Sequence, residues 1–204
     1  LVPAVIEAAK RNIAQQNKDL WLFETANVYE PKALPLTEVP HERPMACGIM
    51  MGKVTEAAWN QAQRDTDFYD VKGVVDGLLA KLGLTQYDIQ PSSESYYHPG
   101  VSAHYTVNGV TIANYGELHP QVVKNFDLSG KVYMFEIDLE AVLSITVPPF
   151  RYQSFSKFPG TSRDLAIVAP VSVTSGDIVA LIKEHGGEYL ESVSIFDVYE
   201  GEHI

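Results

Sequence analysis

Asp67-Phe68-Tyr69-Asp70-Val71-Lys72-Gly73-Val74-Val75-Asp76-Gly77-Leu78-Leu79-Ala80-Lys81-Leu82-Gly83 is the stretch from which the fold is read. Its apolar residues fall at Val71, Val74, Val75, Leu78, Leu79 and Leu82, the i, i+3, i+4, i+7 spacing that gathers one stripe along an α-helix. The spacing predicts a core helix with both ends encoded. Asp70 is placed to accept orphan N–H bonds of the first turn, Lys81 complements the negative end of the dipole, and Gly83 offers a left-handed stop. Gly73 and Gly77 interrupt the helix opposite its apolar stripe, each at a cost of roughly 1 kcal/mol relative to alanine. Two readings stay open for them: a solvent face that tolerates poor helix formers, or a face bared for close packing by another helix or subunit.

Upstream, Leu1 to Asn17 reads as a helix with Pro3 in its first turn and Val2, Val5, Ile6, Ala9 and Ile13 on one face, and Leu20 to Glu24 as a strand. Four prolines between Pro31 and Pro44 predict a long surface connection. Met45 to Lys53 reads as a buried strand, followed by a short helix around Ala57-Ala58-Trp59. Downstream, Ala103 to Val107 and Val110 to Tyr115 flank Asn108-Gly109, the dipeptide suited to a type I′ hairpin turn. Gly116 to Val123 turns into a short helix with Pro120 near its start, Val132 to Leu139 alternates as a strand, and Leu139 to Leu143 begins another helix.

The elements sum to an α+β domain over residues 1–147, an antiparallel sheet with flanking helices. Val147-Pro148-Pro149-Phe150 is the linker into a second domain, residues 148–204. There, strand 164–168, helix 175–184 and strand 193–199 make a partial ferredoxin-like βαβ unit, the first half of β-α-β-β-α-β. In that fold the third strand lies between the first two, and it is absent here. Residues 190–204 are therefore expected to be disordered, to pair abnormally with the first strand, or to complete a sheet on a neighbouring molecule.

Of 204 residues, 46% are hydrophobic and 20% charged, which suits a folded chain, and no apolar run approaches the ~20 residues of a membrane span. A start at Leu1 without a leader is expected of a piece of something longer. The single Cys47 excludes an internal disulfide or a multi-thiolate metal site and fits a reducing cytoplasm. The net charge of −11 divides as −7 for residues 1–147 (11 Lys/Arg, 18 Asp/Glu) and −4 for 148–204 (4 Lys/Arg, 8 Asp/Glu), so a broad nucleic-acid face is excluded and any RNA contact is local.

His98, His104, Glu117 and His119 are the nearest approach to a zinc-type donor set, but no two lie at i, i+3 or i, i+4 on one helix. They read by default as turn and sheet-surface residues, and no metal site is assigned. The pairs Asp67/Asp70 and Glu136/Asp138 read as helix caps and a solvated strand face rather than as acid/base pairs. Cys47, between Ala46 and Gly48, reads as a buried, inert thiol. No glycine-rich phosphate loop occurs. Basic and aromatic residues interleave only from Phe150 to Arg163, where Arg151, Tyr152, Lys157 and Arg163 form the candidate RNA contact; the alternative is that the aromatics staple a domain junction.

Several of these stretches, taken in order, resemble the non-catalytic β subunit of bacterial phenylalanyl-tRNA synthetase. Leu22 to Tyr29 resembles its Leu-Phe-Glu strand motif, with Ala26 where a glycine is usual. Asp67 to Gly73 with the helix after it, and His98 to Ala103 with Val101 in place of arginine, follow. Gly116 to Pro120 and Tyr133 to Leu139 match the next signatures. Ser156 to Pro159, Ser162 to Leu165 and Ser194 to Tyr199 resemble its ferredoxin-fold anticodon-binding domain.

The resemblance implies a class II aminoacyl-tRNA synthetase-like module that has lost catalysis, joined to a truncated anticodon-binding domain. Class II enzymes hold ATP with arginines and a glycine-rich strand and helix, whereas Val132 to Leu143 contains neither residue and Glu136 would repel a triphosphate. No catalytic residue and no cofactor are assigned to this chain. ATP and Mg2+ are implied for the cytoplasmic holoenzyme, with the catalytic α subunit (two of each subunit) and tRNA(Phe) as partners. On that reading Gly73 and Gly77 would serve subunit or domain packing. The alternatives are a free-standing synthetase-like amino-acid sensor and an interaction module.

Overall fold

Residues 1–55, 58–149, 151, 152, 154, 157–199 and 201 are described by the computed structural model. The chain divides into two compact units, Leu1–Phe150 and Arg151–Ile204. In the first, α1 (Val2–Ala14) leads into β1 (Leu20–Glu30) and β2 (His41–Met51), then α2 (Phe68–Lys81), β3 (Asp88–Pro91), β4 (Tyr97–Val107) and β5 (Val110–Leu118). After these come α3 (Pro120–Asn125), β6 (Val132–Asp138) and α4 (Leu139–Ser144). The strands form one sheet in the order β1-β2-β6-β5-β4-β3, and every adjacent pair is antiparallel.

The helix read from 67–83 forms as α2, but its cap is one turn earlier than expected. Asp67, in extended conformation, is the N-cap, accepting from the Tyr69 and Asp70 amides at 2.8 and 3.1 Å. Asp70 returns the bond by accepting from the Asp67 amide at 2.8 Å, a reciprocal box that satisfies donors at both positions. Arg64 grips the same Asp70 carboxylate with two bonds of 2.7 and 2.6 Å. Lys81 lies in the last turn, and Gly83 takes φ +81° to end the helix as expected.

Alternation along the strands divides the sheet into two faces. On one, Val71, Val75 and Leu79 of α2 are fully buried against Tyr105, Tyr115 and Phe135. Burying each such aliphatic side chain is worth about 1.5–3 kcal/mol. Asp76 fixes the register of α2 on the sheet by accepting from the hydroxyls of Tyr87 and Tyr105 at 3.0 and 2.5 Å and from Lys72 at 2.6 Å. Gly48 is required on this face because the Phe135 ring fills the space a Cβ would occupy. The other face is covered by α1, whose Val5, Ile6 and Ala9 pack with Ile49, Met51, Val132, Met134 and Leu118.

Three local expectations are corrected. The strand read from Met45 starts at His41 and contains Pro44, which is tolerated because there β2 has a described partner on one side only, Asn27 of β1, the pairing with β6 beginning at Met45. Gly116 to Leu118 continue β5 instead of turning out of the hairpin, and the helix begins at Pro120 with His119 as its cap. Of the short helix expected around Ala57, Glu56 and Ala57 lie outside the described residues, while Ala58 and Gln61 close a turn with paired backbone bonds and Trp59 is exposed. The Asn108-Gly109 hairpin forms with φ of 52° and 79°, as a type I′ turn needs.

In the second unit, α5 (Ser175–His185) forms with Thr174 and Asp177 as a reciprocal cap and ends at Gly186-Gly187. Segments 164–168 and 193–199 form no strand in the described residues, and Leu165, Ile167, Val168, Phe196 and Val198 are exposed. A strand needs a hydrogen-bonded neighbour, and neither segment has one among the described residues. No helix among the described residues is long and apolar enough to cross a membrane.

No described heavy atom stands within 4 Å of a Cβ placed at Gly73 or Gly77, so packing of that face within the module is excluded for the described residues. Replacing both by alanine is expected to raise the stability of the chain by roughly 1–2 kcal/mol, read by urea denaturation. Asp70→Ala is expected to cost about 1 kcal/mol through the lost bond from the Asp67 amide that closes the capping box. The Arg64 hydrogen bonds hold the Asp70 carboxyl below its ordinary value of 3.8, so its stabilisation is present above that pH and is lost as pH falls through the lowered value. The acid limb of a stability–pH profile should accordingly be shallower in Asp70→Ala.

Candidate functional site

The face covered by α1 changes character part-way along the strands. β6 presents Val132 and Met134 beneath α1 and then, on the same face, Glu136 and Asp138. Register carries the change across the sheet. Cys47 of β2 stands opposite Glu136, Glu136 opposite Asn114 of β5, and Asn114 opposite His104 of β4, a polar row four strands wide. The row before it, Ile49, Met134, Gly116 and Ser102, has small or apolar residues.

Beyond the edge of α1 this face opens into a cavity of about 380 Å3, with Arg43, Glu94, Tyr96, His104, Glu136 and Asp138 among its lining. The Tyr96 hydroxyl donates to Glu136 Oε2 at 2.5 Å, and burial together with that carboxylate holds the phenol protonated well above its ordinary range. Arg43, the cavity's single arginine among the described residues, pairs with Glu30 at 2.6 Å and Asp138 at 3.4 Å. Asp138 also caps α4 by accepting from the Ala141 amide at 2.9 Å. Asn114 Oδ1 accepts from the Ser92 hydroxyl at 3.1 Å, and His104 Nδ1–H donates to the Pro91 carbonyl at 3.1 Å. Three carboxylates against one guanidinium make the cavity acidic.

This arrangement is poorly suited to a polyphosphate, because its one guanidinium is already paired and its other charges repel an anion. It joins residues that the sequence offered separately. By sequence Glu136 and Asp138 belong to a solvated strand face and His104 to the sheet surface. The legible signal was the switch from Val132 and Met134 to Glu136 and Asp138 at constant period two; the register that adds Asn114 and His104 was not legible. The other two histidines of the candidate donor set are local. His98 Nδ1 accepts from the Gly100 amide and His119 Nδ1 from the Gln121 amide, each at 3.1 Å, and no metal-holding cluster of three donors occurs among the described residues.

The remaining candidates lie elsewhere. Gly73 and Gly77 are on the exposed side of α2, on the opposite face of the sheet. Arg151, Tyr152, Lys157 and Arg163 are exposed in the second unit, and the three cations make no ion pair among the described residues. Phe150, Gln153, Phe155 and Ser156, from the same stretch, lie outside the described residues.

A family profile described as the phenylalanyl tRNA synthetase beta chain CLM domain matches residues 1–139. The chain belongs to the phenylalanyl-tRNA synthetase β-chain family. A second profile, the ferredoxin-fold anticodon binding domain, matches residues 156–204. Among relatives of this β-chain family, the phenylalanine–tRNA ligase β subunit of Staphylococcus saprophyticus is 36% identical over 204 residues, which is 100% of this chain and 25% of that protein. The β subunit of Bacillus subtilis is 37% identical over 205 residues, with the same coverage. The chain thus spans about a quarter of the length of the relatives it matches. Among solved structures, a pyrrolysyl-tRNA synthetase of Desulfitobacterium hafniense superposes with TM-score 0.53 at 12% identity, covering 70% of this chain and 47% of that one. The fold of the first unit is class II synthetase-like.

Burial, and after it Glu136, push the Cys47 thiol up to about 12. The native chain is expected to leave a disulfide-exchange reagent unreacted at pH 8 and to release one equivalent of thiol only on unfolding, followed by absorbance.

Proposed function

We propose that the chain is a segment of the β subunit of a bacterial phenylalanine–tRNA ligase. In this reading, residues 1–147 are a non-catalytic class II synthetase-like module and residues 148–204 belong to the anticodon-binding domain. The segment supports assembly with the catalytic α subunit, two of each, and binding of tRNA(Phe), in a cytoplasmic enzyme whose ATP and Mg2+ are used by the α subunit. The observation that carries the reading is the pair of family matches in series along one chain.

The geometry supports the division of labour. A class II ATP site needs free arginines on the open sheet face, whereas Arg43 is committed to two carboxylates and the residues around it are acidic. The bare α2 face at Gly73 and Gly77, open within the described residues, is the surface we assign to subunit packing. The cations Arg151, Lys157 and Arg163, which make no ion pair among the described residues, are assigned with Tyr152 to RNA, where phosphates take the charges and exposed bases stack on aromatic rings.

The chain alone should support no phenylalanine-dependent pyrophosphate exchange, and should co-purify with the α subunit of the same source. Gly73→Leu with Gly77→Leu should abolish that co-purification while the variant keeps its cooperative unfolding. Exchange by the chain alone, or undiminished capture by the double variant, would overturn the respective assignment.

A further inference from the structure

Of the seven asparagines in the chain Asn108 alone precedes a glycine, and Asp76-Gly77 is the single aspartate–glycine step. The two steps are alike as sequence, since a glycine has no Cβ to obstruct attack by its amide nitrogen on the preceding side-chain carbonyl carbon. The fold separates them. The Asp76 carboxylate accepts from Lys72, Tyr87 and Tyr105, and Gly77 lies inside α2, where its amide belongs to the helix ladder. Asn108 and Gly109 are instead exposed at the β4–β5 turn. The Asn108 side chain has no hydrogen bond among the described residues, and the Gly109 amide donates to no described carbonyl. No described heavy atom stands within 4 Å of a Cβ placed at Gly109.

Attack needs the peptide after Asn108 to rotate out of its type I′ setting, and the hairpin tip is held weakly enough to permit it. Only the pairs Val107–Val110 and Thr106–Thr111 close the tip before a register shift, where Ile112 is the extra residue opposite the Tyr105–Thr106 step. The pairing of β4 with β3 reaches no further than Thr106, and Val110 is 55% exposed. We propose that Asn108 is a site of spontaneous covalent modification, deamidation through a cyclic imide, gated by opening of this tip. The Gly109 nitrogen bonds to Asn108 Cγ, the Cγ–Nδ2 bond breaks, and Nδ2 leaves as ammonia with the Gly109 amide proton. Water then opens the ring, and nothing is oxidised or reduced. Cleavage between Cγ and nitrogen gives aspartate; cleavage between nitrogen and the main-chain carbonyl carbon gives isoaspartate. Aspartate tolerates the left-handed conformation and keeps the turn with one more negative charge. Isoaspartate adds a methylene to the main chain and breaks the two-residue loop that sets Val107 opposite Val110.

The test is incubation of the full chain in mildly alkaline buffer, folded and in urea, followed by peptide mapping in a mass spectrometer. Isoaspartate is counted separately, by methyl transfer with an L-isoaspartyl O-methyltransferase. In the folded chain the mass gain of amide-to-acid conversion is expected in the peptide that holds Asn108 and in no other, with isoaspartate in that same peptide and none at Asp76. Conversion at Asn108 should be about tenfold faster in urea, where the tip no longer gates it. Asn108→Gly keeps a residue suited to the turn and should abolish both signals in the folded chain. Isoaspartate that persists in folded Asn108→Gly, or conversion of other asparagines of the folded chain as fast as Asn108, overturns the assignment of the site. Equal rates in the folded and unfolded chain overturn the gating, and a folded chain whose Asn108 stays intact overturns the proposal as a whole.

Discussion

β6 hydrogen-bonds to β2 on one side and to β5 on the other, and through it two separate hairpin systems become one sheet. The β1–β2 pair and the β3–β4–β5 meander are each closed by contacts near in sequence; neither alone has two covered faces. Seven residues of β6 then serve three environments. Tyr133, Phe135 and Ile137 enter the core beneath α2 and α4, Val132 and Met134 enter the core beneath α1, and Glu136 and Asp138 form the floor of the cavity. A one-residue slip of this strand would put carboxylates into the α2 core and aromatic rings into the cavity, so both cores enforce a single register.

The cavity exists because the cover is shorter than the surface beneath it. A helix of 13 residues is about 20 Å long, whereas an 11-residue strand such as β2 extends about 37 Å. α1 can therefore shield only part of one face, and polarity follows coverage: Ile49 and Met134 are sealed, while Glu136 and Asn114 in the next row are partly exposed. Cys47 is caught at the boundary, buried as its apolar neighbours predict and facing the first carboxylate of the polar row. The chemistry of this half is set by an excess of carboxylates over an arginine that they already neutralise.

The second unit shows the reverse case, elements whose partners are missing among the described residues. α5 forms because a helix bonds within itself and its Thr174–Asp177 box and closing glycines are local. Segments 164–168 and 193–199 have strand-like composition and stay outside any ladder, since a strand is completed only by a neighbour. The family match over 156–204 is thus carried by sequence where, among the described residues, regular backbone structure is limited to one helix.

What the sequence determined by itself was local and periodic. The stripe Val71, Val75, Leu79, the Asn108-Gly109 turn, the left-handed Gly83 and the alternation of Val132 to Asp138 are each dictated within a few residues by sterics or by the helix and strand periods. The cap lies one helical turn from its expected position, because Asp67 and Asp70 carry the same bond-accepting carboxylate and only the backbone turn decides which is the cap and which answers it. Tertiary structure decided what pairs across distance. The insertion of β6 between β2 and β5 places residues about 22 and 90 positions apart in one row, and no local rule foretells that Glu136 will stand between Cys47 and Asn114. The openness of the Gly73 face and the acidity of the cavity belong to the same class, since both depend on which surface a distant element covers.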